Sequence, residues 1–546
     1  MNITTIYQSS IAKIIPDCAP AEKPLTNLTV WKGERAHFQM AYKPDFTWGK
    51  TKVEIVSPLK EFIRVRSVEL VPVDFLPDDY DSDAIGVRPG LYPDLLKNLT
   101  DDTFSTVRHQ WRSLWITLDI PQDLPAGTYT VQVNLHILPT RNIEEMFFTG
   151  QTLTVKVVDK VLPPQNLIVT NWFHTDCIAD YYNVEIFSEK HWELIEKFMV
   201  AAVNCGINFI LTPIVTPPLD TEINTERPTV QLVDISCNNN QWSFNFDKLA
   251  RWIHTAQKVG IKYFEAAHLF SQWGATATPK IIATVDGEVK HIAGWHVASD
   301  SEEYATFLSK FLPALVKWIK ENNLQDNFYF HTSDEPHEDH LETYSQCYAL
   351  ISQYLEGMKT CDAMSNLEIF KATGCKTIPV VVEYKFENFD TEELPERWVY
   401  YCCNPTMKYP NRFIHMASWR NRILGMLLYK NNIKGFLQWG FNFYYSMLSR
   451  YKLNPYMSTT CLGAFPAGDA FIVYPGQDGN IEYSIRAEVF YDGLQDMRCL
   501  QQLEAEYGQE KVAEFIKKYI SNSGFSLEGA FINYDVFEAL RNWDGQ

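Results

Sequence analysis

The feature that most constrains this chain is a rhythm. From Leu167 to Trp439, short β-forming apolar runs alternate with longer runs whose apolar residues recur every three or four positions. Strands separated by helices pair in parallel and are covered on both faces, so the pattern predicts an α/β fold. The spacing predicts strands over Leu167–His174, Ile207–Pro213, Ile261–His268, Phe328–Ser333, near Cys361–Met364, and over Thr377–Tyr384, Arg397–Cys402 and Gly435–Trp439. Helices are predicted over Ser188–Asn204, Phe246–Val259, Ser301–Asn322, Glu338–Glu356 and Ile414–Asn431. Eight strands in about 280 residues match a (β/α)8 barrel of the TIM type.

A different pattern precedes it. Between Leu25 and Pro164 the runs VEIV, IRVRSVELVPV, LWITLDI, TYTVQVNLHIL and TLTVKVV alternate apolar and polar residues, which predicts a β-sandwich. Leu76 to Arg112, rich in Asp, Gly and Pro, reads as an irregular insertion able to reach the neighbouring domain. After Tyr451 the alternation stops, and GDAFIVYP with Tyr483–Leu494 reads as a strand pair running into a helix. A chain of 546 residues exceeds one hydrophobic core. The expectation is therefore a multidomain α/β protein: a sandwich over 1–164, a catalytic barrel over 165–455, and a small C-terminal β-plus-helix extension over 456–546 packed on the barrel.

A formal net charge of -19 with no basic cluster excludes nucleic acid and anionic membranes as partners. No stretch approaches a membrane span, and the first residues, MNITTIYQSS, lack a basic region leading into an apolar run, so a cytoplasmic location is expected. The 11 cysteines are scattered, with no CxxC pair and one adjacent pair, Cys402-Cys403, and read as reduced thiols rather than structural zinc ligands. No cofactor is implied. The 15 Trp, 28 Tyr and 33 Phe hint at carbohydrate, because flat rings stack on sugars, but large β-rich chains share that excess.

The chemistry concentrates in Asn327–His340, NFYFHTSDEPHEDH, where an apolar strand ends on Asp334 and Glu335 and Pro336 stops it. In barrels of this type the reacting groups sit at the C-terminal strand ends. Two adjacent carboxyls cannot both ionise freely, so one neutral and one charged group is the expected state, suited to protonating a leaving oxygen beside a charge stabiliser. The other expected strand ends carry His174, His268, Glu383-Tyr384, Tyr400-Tyr401, and Trp439 with Asn442. His331, Asp334, His337 and His340 are potential metal ligands, but their spacing does not match HExxH or a closed zinc pattern, so no metal is expected.

FHTSDEP, ERWVYYCCNPTMKYPNRF, RILGMLLYKNNIKGFLQWGFNF and GDAFIVYPGQDGNIEYSIRAEVFYDGLQD together resemble the family known as domain of unknown function 4091, which includes glycoside hydrolase family 123. LWITLDIPQDLPAGTYT and RPGLYPDLL are similar to the sandwich that precedes its barrel. The resemblance implies a retaining, exo-acting β-N-acetylgalactosaminidase, or a hexosaminidase for a related 2-acetamido sugar, in which the sugar's own acetamido oxygen attacks the anomeric carbon. It implies Glu335 as acid/base and Asp334 as the group that holds the acetamido N–H. Trp439, Tyr384, Tyr401, Asn442, His174 and His268 are expected to line the sugar site by strand-end position, and a small glycan or oligosaccharide is the expected partner. Two alternatives stay open: a glycosidase for a non-acetamido sugar with Asp334 or Glu383 as nucleophile, and a non-catalytic carbohydrate-binding protein.

Overall fold

In the strand Gly127–Ile137, Val131, Val133, Leu135 and Ile137 take every second position and all are buried, which turns one face to a core. The computed structural model, which describes residues 1–139, 143–389 and 394–546, builds two sheets on such alternation. The first runs in the order Ile3–Ser9, Arg35–Pro44, Arg112–Asp119, Ile63–Val73, Gly90–Asn98, Glu482–Ser484, Val473–Tyr474. The second runs Asn27–Lys32, Thr152–Val161, Gly127–Ile137, Trp48–Val56, Thr103–Thr106, with Met146–Phe148 paired to Gly127–Ile137. Phe38, Leu114, Ile116, Val133 and Val155 fill the space between them.

Two features differ from the sequence reading. Leu76 to Arg112 is not irregular throughout, because Gly90–Asn98 and Thr103–Thr106 are strands. The alternation there is masked by Pro93 and by buried Asp94, whose carboxylate is held by Arg486 at 2.9 Å to each oxygen. The remaining loop does cross to the barrel: Asp83 binds Arg420 at 2.8 Å and Trp419 at 2.8 Å, and Ile85 N–H reaches His415 O at 2.9 Å. The short C-terminal strands, for their part, extend the first sandwich sheet through Gly90–Asn98.

The barrel closes as β1 (Ile168–Asn171), β2 (Phe209–Thr212), β3 (Tyr263–Ala266), β4 (Phe328–Phe330), β5 (Lys359–Ala363), β6 (Ile378–Val382), β7 (Trp398–Tyr400) and β8 (Gly435–Gln438), all parallel and in chain order. Period two sorts the side chains. Phe209, Leu211, Tyr329, Val380, Val382, Trp398, Tyr400 and Leu437 fill the interior, while Ile210, Phe328, Phe330, Val399 and Tyr401 pack outward. A separate four-stranded sheet, Gln241–Asn245, Asp234–Asn238, Ile281–Val285 and Glu288–Ala293, stands between barrel elements. It escaped the sequence reading although Asn239-Asn240 and Asp286-Gly287 carry the paired positive φ values of hairpin turns.

The helix Ile485–Tyr507 lies against Ser418–Lys430 so closely that glycine is required on both. A Cβ built on Gly425 would stand 1.7 Å from Gly493 O, and one on Gly493 would stand 2.6 Å from Arg422 O. Among the described residues no helix is long and apolar enough to cross a membrane. Gly425→Ala is expected to force the two backbones apart and to destabilise the fold by about 1–3 kcal/mol, measured by denaturant unfolding.

Candidate active site

Asp334 and Glu335 stand in the loop that follows β4, facing a pocket at the C-terminal mouth of the barrel. Glu335 takes a left-handed backbone, φ 43°, and its N–H is anchored on Ala363 O of β5 at 3.1 Å. Across the pocket Trp273 is also left-handed, φ 54°, with its N–H on Asp334 O at 3.0 Å. Such conformations in non-glycine residues cost roughly 1–3 kcal/mol each and persist where the surroundings dictate them. Here they aim two side chains into one cavity.

The carboxyls have different surroundings. Glu335 Oε1 accepts a 2.5 Å hydrogen bond from the Tyr400 hydroxyl at the end of β7. Burial, then the charge of Glu335, holds the Tyr400 phenol well above its usual range, so it remains a donor. Asp334 is buried, and no described residue donates a hydrogen bond to its carboxyl group. Burial first, and the adjacent Glu335 second, push Asp334 well above the usual carboxylate range. Asp334 therefore holds its proton well above the pH at which an ordinary carboxyl loses it.

The remaining walls come from several strand ends. Trp172, after β1, donates from its indole to Glu265 of β3 at 2.8 Å and lines the pocket. His174 also lines it, with Nε2–H on Trp439 O at 3.0 Å and Nδ1 accepting from Arg227 at 3.2 Å. Burial and the Arg227 charge lower His174 to about 3, so it is neutral. Trp439 presents its ring edge-on to Phe465, centroids 4.9 Å apart, and anchors its indole on Asp469 at 2.9 Å. Asp220, held by Leu448 N–H at 2.9 Å, adds a third carboxyl, which burial raises to about 6.

Of the residues named from sequence, Asp334, Glu335, Trp439 and His174 meet at this pocket. Tyr401 does not. It points outward, fully buried against Phe436, because one step along β7 reverses the face and places Tyr400 inside instead. Asn442 is buried, tying the two loops together by accepting from His174 N–H at 2.8 Å and donating to His174 O at 3.1 Å. Tyr384 is 40% exposed and packs against Tyr409 outside the lining. His268 lies buried behind the pocket, stacked on His331 with centroids 4.3 Å apart. Glu383 is buried outside the lining, with neither carboxyl oxygen hydrogen-bonded among the described residues.

Tyr400, Trp172, Asp220, Gln272, Trp273 and Phe465 were not singled out beforehand as sugar-site residues. Period two in β7 was the available signal for Tyr400. Phe465 carried none, since it arrives from beyond the barrel. His268, His331 and Asp362 each place one donor atom within 4.8 Å of the others, the only such group among the described residues. A cation there would have to displace the bonds His331 makes to Glu265 and Asp362.

Adjacent carboxyls among tryptophans, at the C-terminal mouth of a closed parallel barrel, are an arrangement suited to glycoside hydrolysis. Sequence comparison makes that specific: the profile of the glycoside hydrolase 123 catalytic domain matches residues 172–503, more than half of the chain. The chain belongs to glycoside hydrolase family 123. Its fold matches that of a family 123 glycoside hydrolase from Clostridium perfringens, whose structure was studied for glycolipid glycan hydrolysis, with TM-score 0.73 and 15% identity over 99% of this chain and 97% of that one. A β-D-glucuronidase from Dictyoglomus thermophilum aligns over 90% of this chain and 96% of that one at 8% identity, but its TM-score of 0.31 carries no argument. No curated protein matches the chain by sequence.

Tyr400→Phe is expected to lower kcat/KM by about 10-fold or more, the worth of a hydrogen bond to a charged group, while the unfolding midpoint stays near wild type. Steady-state kinetics beside a thermal melt check it.

Proposed function

We propose that this protein is a retaining, exo-acting glycosidase that removes terminal β-linked N-acetylgalactosamine, or a related 2-acetamido sugar, with the substrate's own acetamido group as nucleophile. The observation that carries the reading is the division of labour at the pocket: a buried Asp334 carboxyl with no described donor beside a Glu335 carboxyl held at 2.5 Å by Tyr400. The acetamido N–H supplies the donor that Asp334 lacks. As Asp334 takes up that hydrogen bond, its ionised form is favoured, and Glu335 is the group left to deliver a proton to the leaving oxygen.

The acetamido oxygen then attacks the anomeric carbon, the glycosidic C–O bond breaks, and the leaving oxygen takes the Glu335 proton. Asp334 offsets the positive charge that develops on the oxazolinium-type ring. In the second step Glu335 takes a proton from water, whose oxygen opens that ring from the face the leaving group vacated, with net retention. Trp439, Trp172 and Trp273 supply aromatic walls. Asp220 is placed to receive a sugar hydroxyl. The glycolipid glycan hydrolysis studied in the Clostridium perfringens structure supports an oligosaccharide substrate. Glu383 is a poor nucleophile for the non-acetamido alternative, because its carboxyl is buried away from the pocket. The buried Cys177, Cys205, Cys361, Cys461 and Cys499 are free thiols, which supports a reducing, cytoplasmic location.

The test is hydrolysis of the 4-nitrophenyl β-N-acetylgalactosaminide and β-N-acetylglucosaminide pair. Galacto-selective release is expected, blocked by a thiazoline mimic of the intermediate; a covalent glycosyl-enzyme adduct instead would point to an enzymic nucleophile. Asp334→Asn is expected to lower kcat by about 10²- to 10³-fold. Burial and Glu335 raise the Asp334 carboxyl, so the acidic limb that its ionisation gives to kcat/KM should disappear in that variant. Glu335→Gln should spare good aryl leaving groups and cripple poor ones in the bond-breaking step, and equal losses would argue against its acid role.

A further inference from the structure

His331 is the first residue after β4, is fully buried, and has both ring nitrogens occupied. Nε2 lies 2.6 Å from Glu265 Oε1 of β3 and Nδ1 lies 3.1 Å from Asp362 Oδ1 of β5. An imidazole whose two nitrogens both face carboxylates donates from both and so carries both protons. Each carboxylate is fixed independently of His331. Glu265 accepts from Thr170 at 2.9 Å and Trp172 at 2.8 Å, and Asp362 accepts from Thr332 N–H at 2.9 Å and Tyr344 at 2.6 Å. The other titratable groups facing the ring are His268, stacked on it, and Cys361, with Sγ 3.7 Å from Nε2. Burial drives His268 neutral, so no second cation competes. Burial alone would lower His331, but the groups around it, Cys361 and Glu265 foremost, override that and raise it well above the usual histidine range.

Glu265, Asp362 and Asp334 are thus three buried acids around one cation, and the His331 charge is the one favourable to ionising Asp334 among the groups acting most strongly on that carboxyl. We propose that His331 is a positioning residue, a fixed imidazolium clamped by Glu265 and Asp362 behind the pocket, whose charge lets Asp334 become the anion that receives the acetamido N–H. This rests on the substrate-assisted reading above. It also gives Trp172 a reason for its place, since one Glu265 oxygen holds both the pocket wall and the cation.

Two measurements test it. In ¹⁵N spectra of histidine-labelled protein, with the His331 signals identified by their loss in His331→Gln, both ring nitrogens should remain protonated from pH 5 to pH 9. A neutral ring at pH 7 overturns the proposal. In pH–rate profiles His331→Gln should move the acidic limb of kcat/KM up by about one unit, a tenfold loss below it, and Asp362→Asn should move it down. A purely structural role would lower the rate without opposite displacements, so shifts of one sign, or none, overturn it. Should His331→Gln fail to fold, His331→Asn replaces it in both measurements and must likewise move the limb up. If the wild type hydrolyses neither acetamido glycoside, the substrate reading falls, and the ring-nitrogen spectrum still decides the charge on His331.

Discussion

The fold depends on a row of buried charges along the helix Ile485–Tyr507. Arg486 grips Asp94 of the first sandwich sheet, and Glu488 meets Arg66 at 2.5 Å and His37 at 3.2 Å. Asp492 meets His37 at 2.7 Å and Ser10 at 2.8 Å, and Asp496 is shared by Arg422 and Arg541. The acids fall at 488, 492 and 496, four apart, so one helix face is anionic and fully buried. Burial alone would lower His37, yet Asp492 and Glu488 raise it, while Arg66 and His37 hold Glu488 well below the usual range. Removing one partner would strand a buried charge, a far larger effect than the net worth of the pair, so the cluster holds sandwich, barrel and tail in one arrangement.

The same physics operates at the barrel mouth with the opposite sign. There like charges are brought together, and burial with the adjacent Glu335 pushes the Asp334 carboxyl well above the usual carboxylate range. The barrel supplies this with fixed parts: a left-handed turn before Pro336, a tyrosine from β7, and a carboxylate–imidazole–carboxylate row spanning β3 to β5. Arg412 closes the β1–β8 seam by donating to Asn171, Gln438, Gly440 O and Asp469 O, which brings the tail segment carrying Phe465 over the pocket. The pocket at the barrel mouth thus borrows a wall from outside the barrel.

Much of this was legible beforehand for a physical reason. Strand and helix periods are local, and all eight barrel strands lie within the spans they predicted or overlap them closely; Lys359–Ala363, against an expectation near Cys361–Met364, is the loosest. The place of Asp334 and Glu335 at the mouth of the barrel was legible because an apolar strand that runs into carboxylates and proline ends there. Choosing Tyr401 over Tyr400 was a register error, since adjacent strand residues face opposite ways and only the closed barrel says which way is in. Asn442 and His268 were placed at the right strand ends, but depth and partners decided their roles: Asn442 ties loops and His268 stacks behind the pocket. The strand bodies did carry an unread signal, because Glu265 in YFEA and Asp362 in TCDA are charges inside apolar runs.

What the sequence by itself determined is what depends on near neighbours: the alternation of strand and helix, the end of β4, and the adjacency of two acids that cannot both ionise freely. The tertiary structure alone decided what depends on distance through space. It buried the Asp334 carboxyl, brought Tyr400 to Glu335 across 65 positions and His331 to Glu265 across 66, and joined the C-terminal strands to the first sheet. Electrostatic energy and hydrogen bonding are set by ångströms and by exclusion of water, and neither is a property of spacing along a chain.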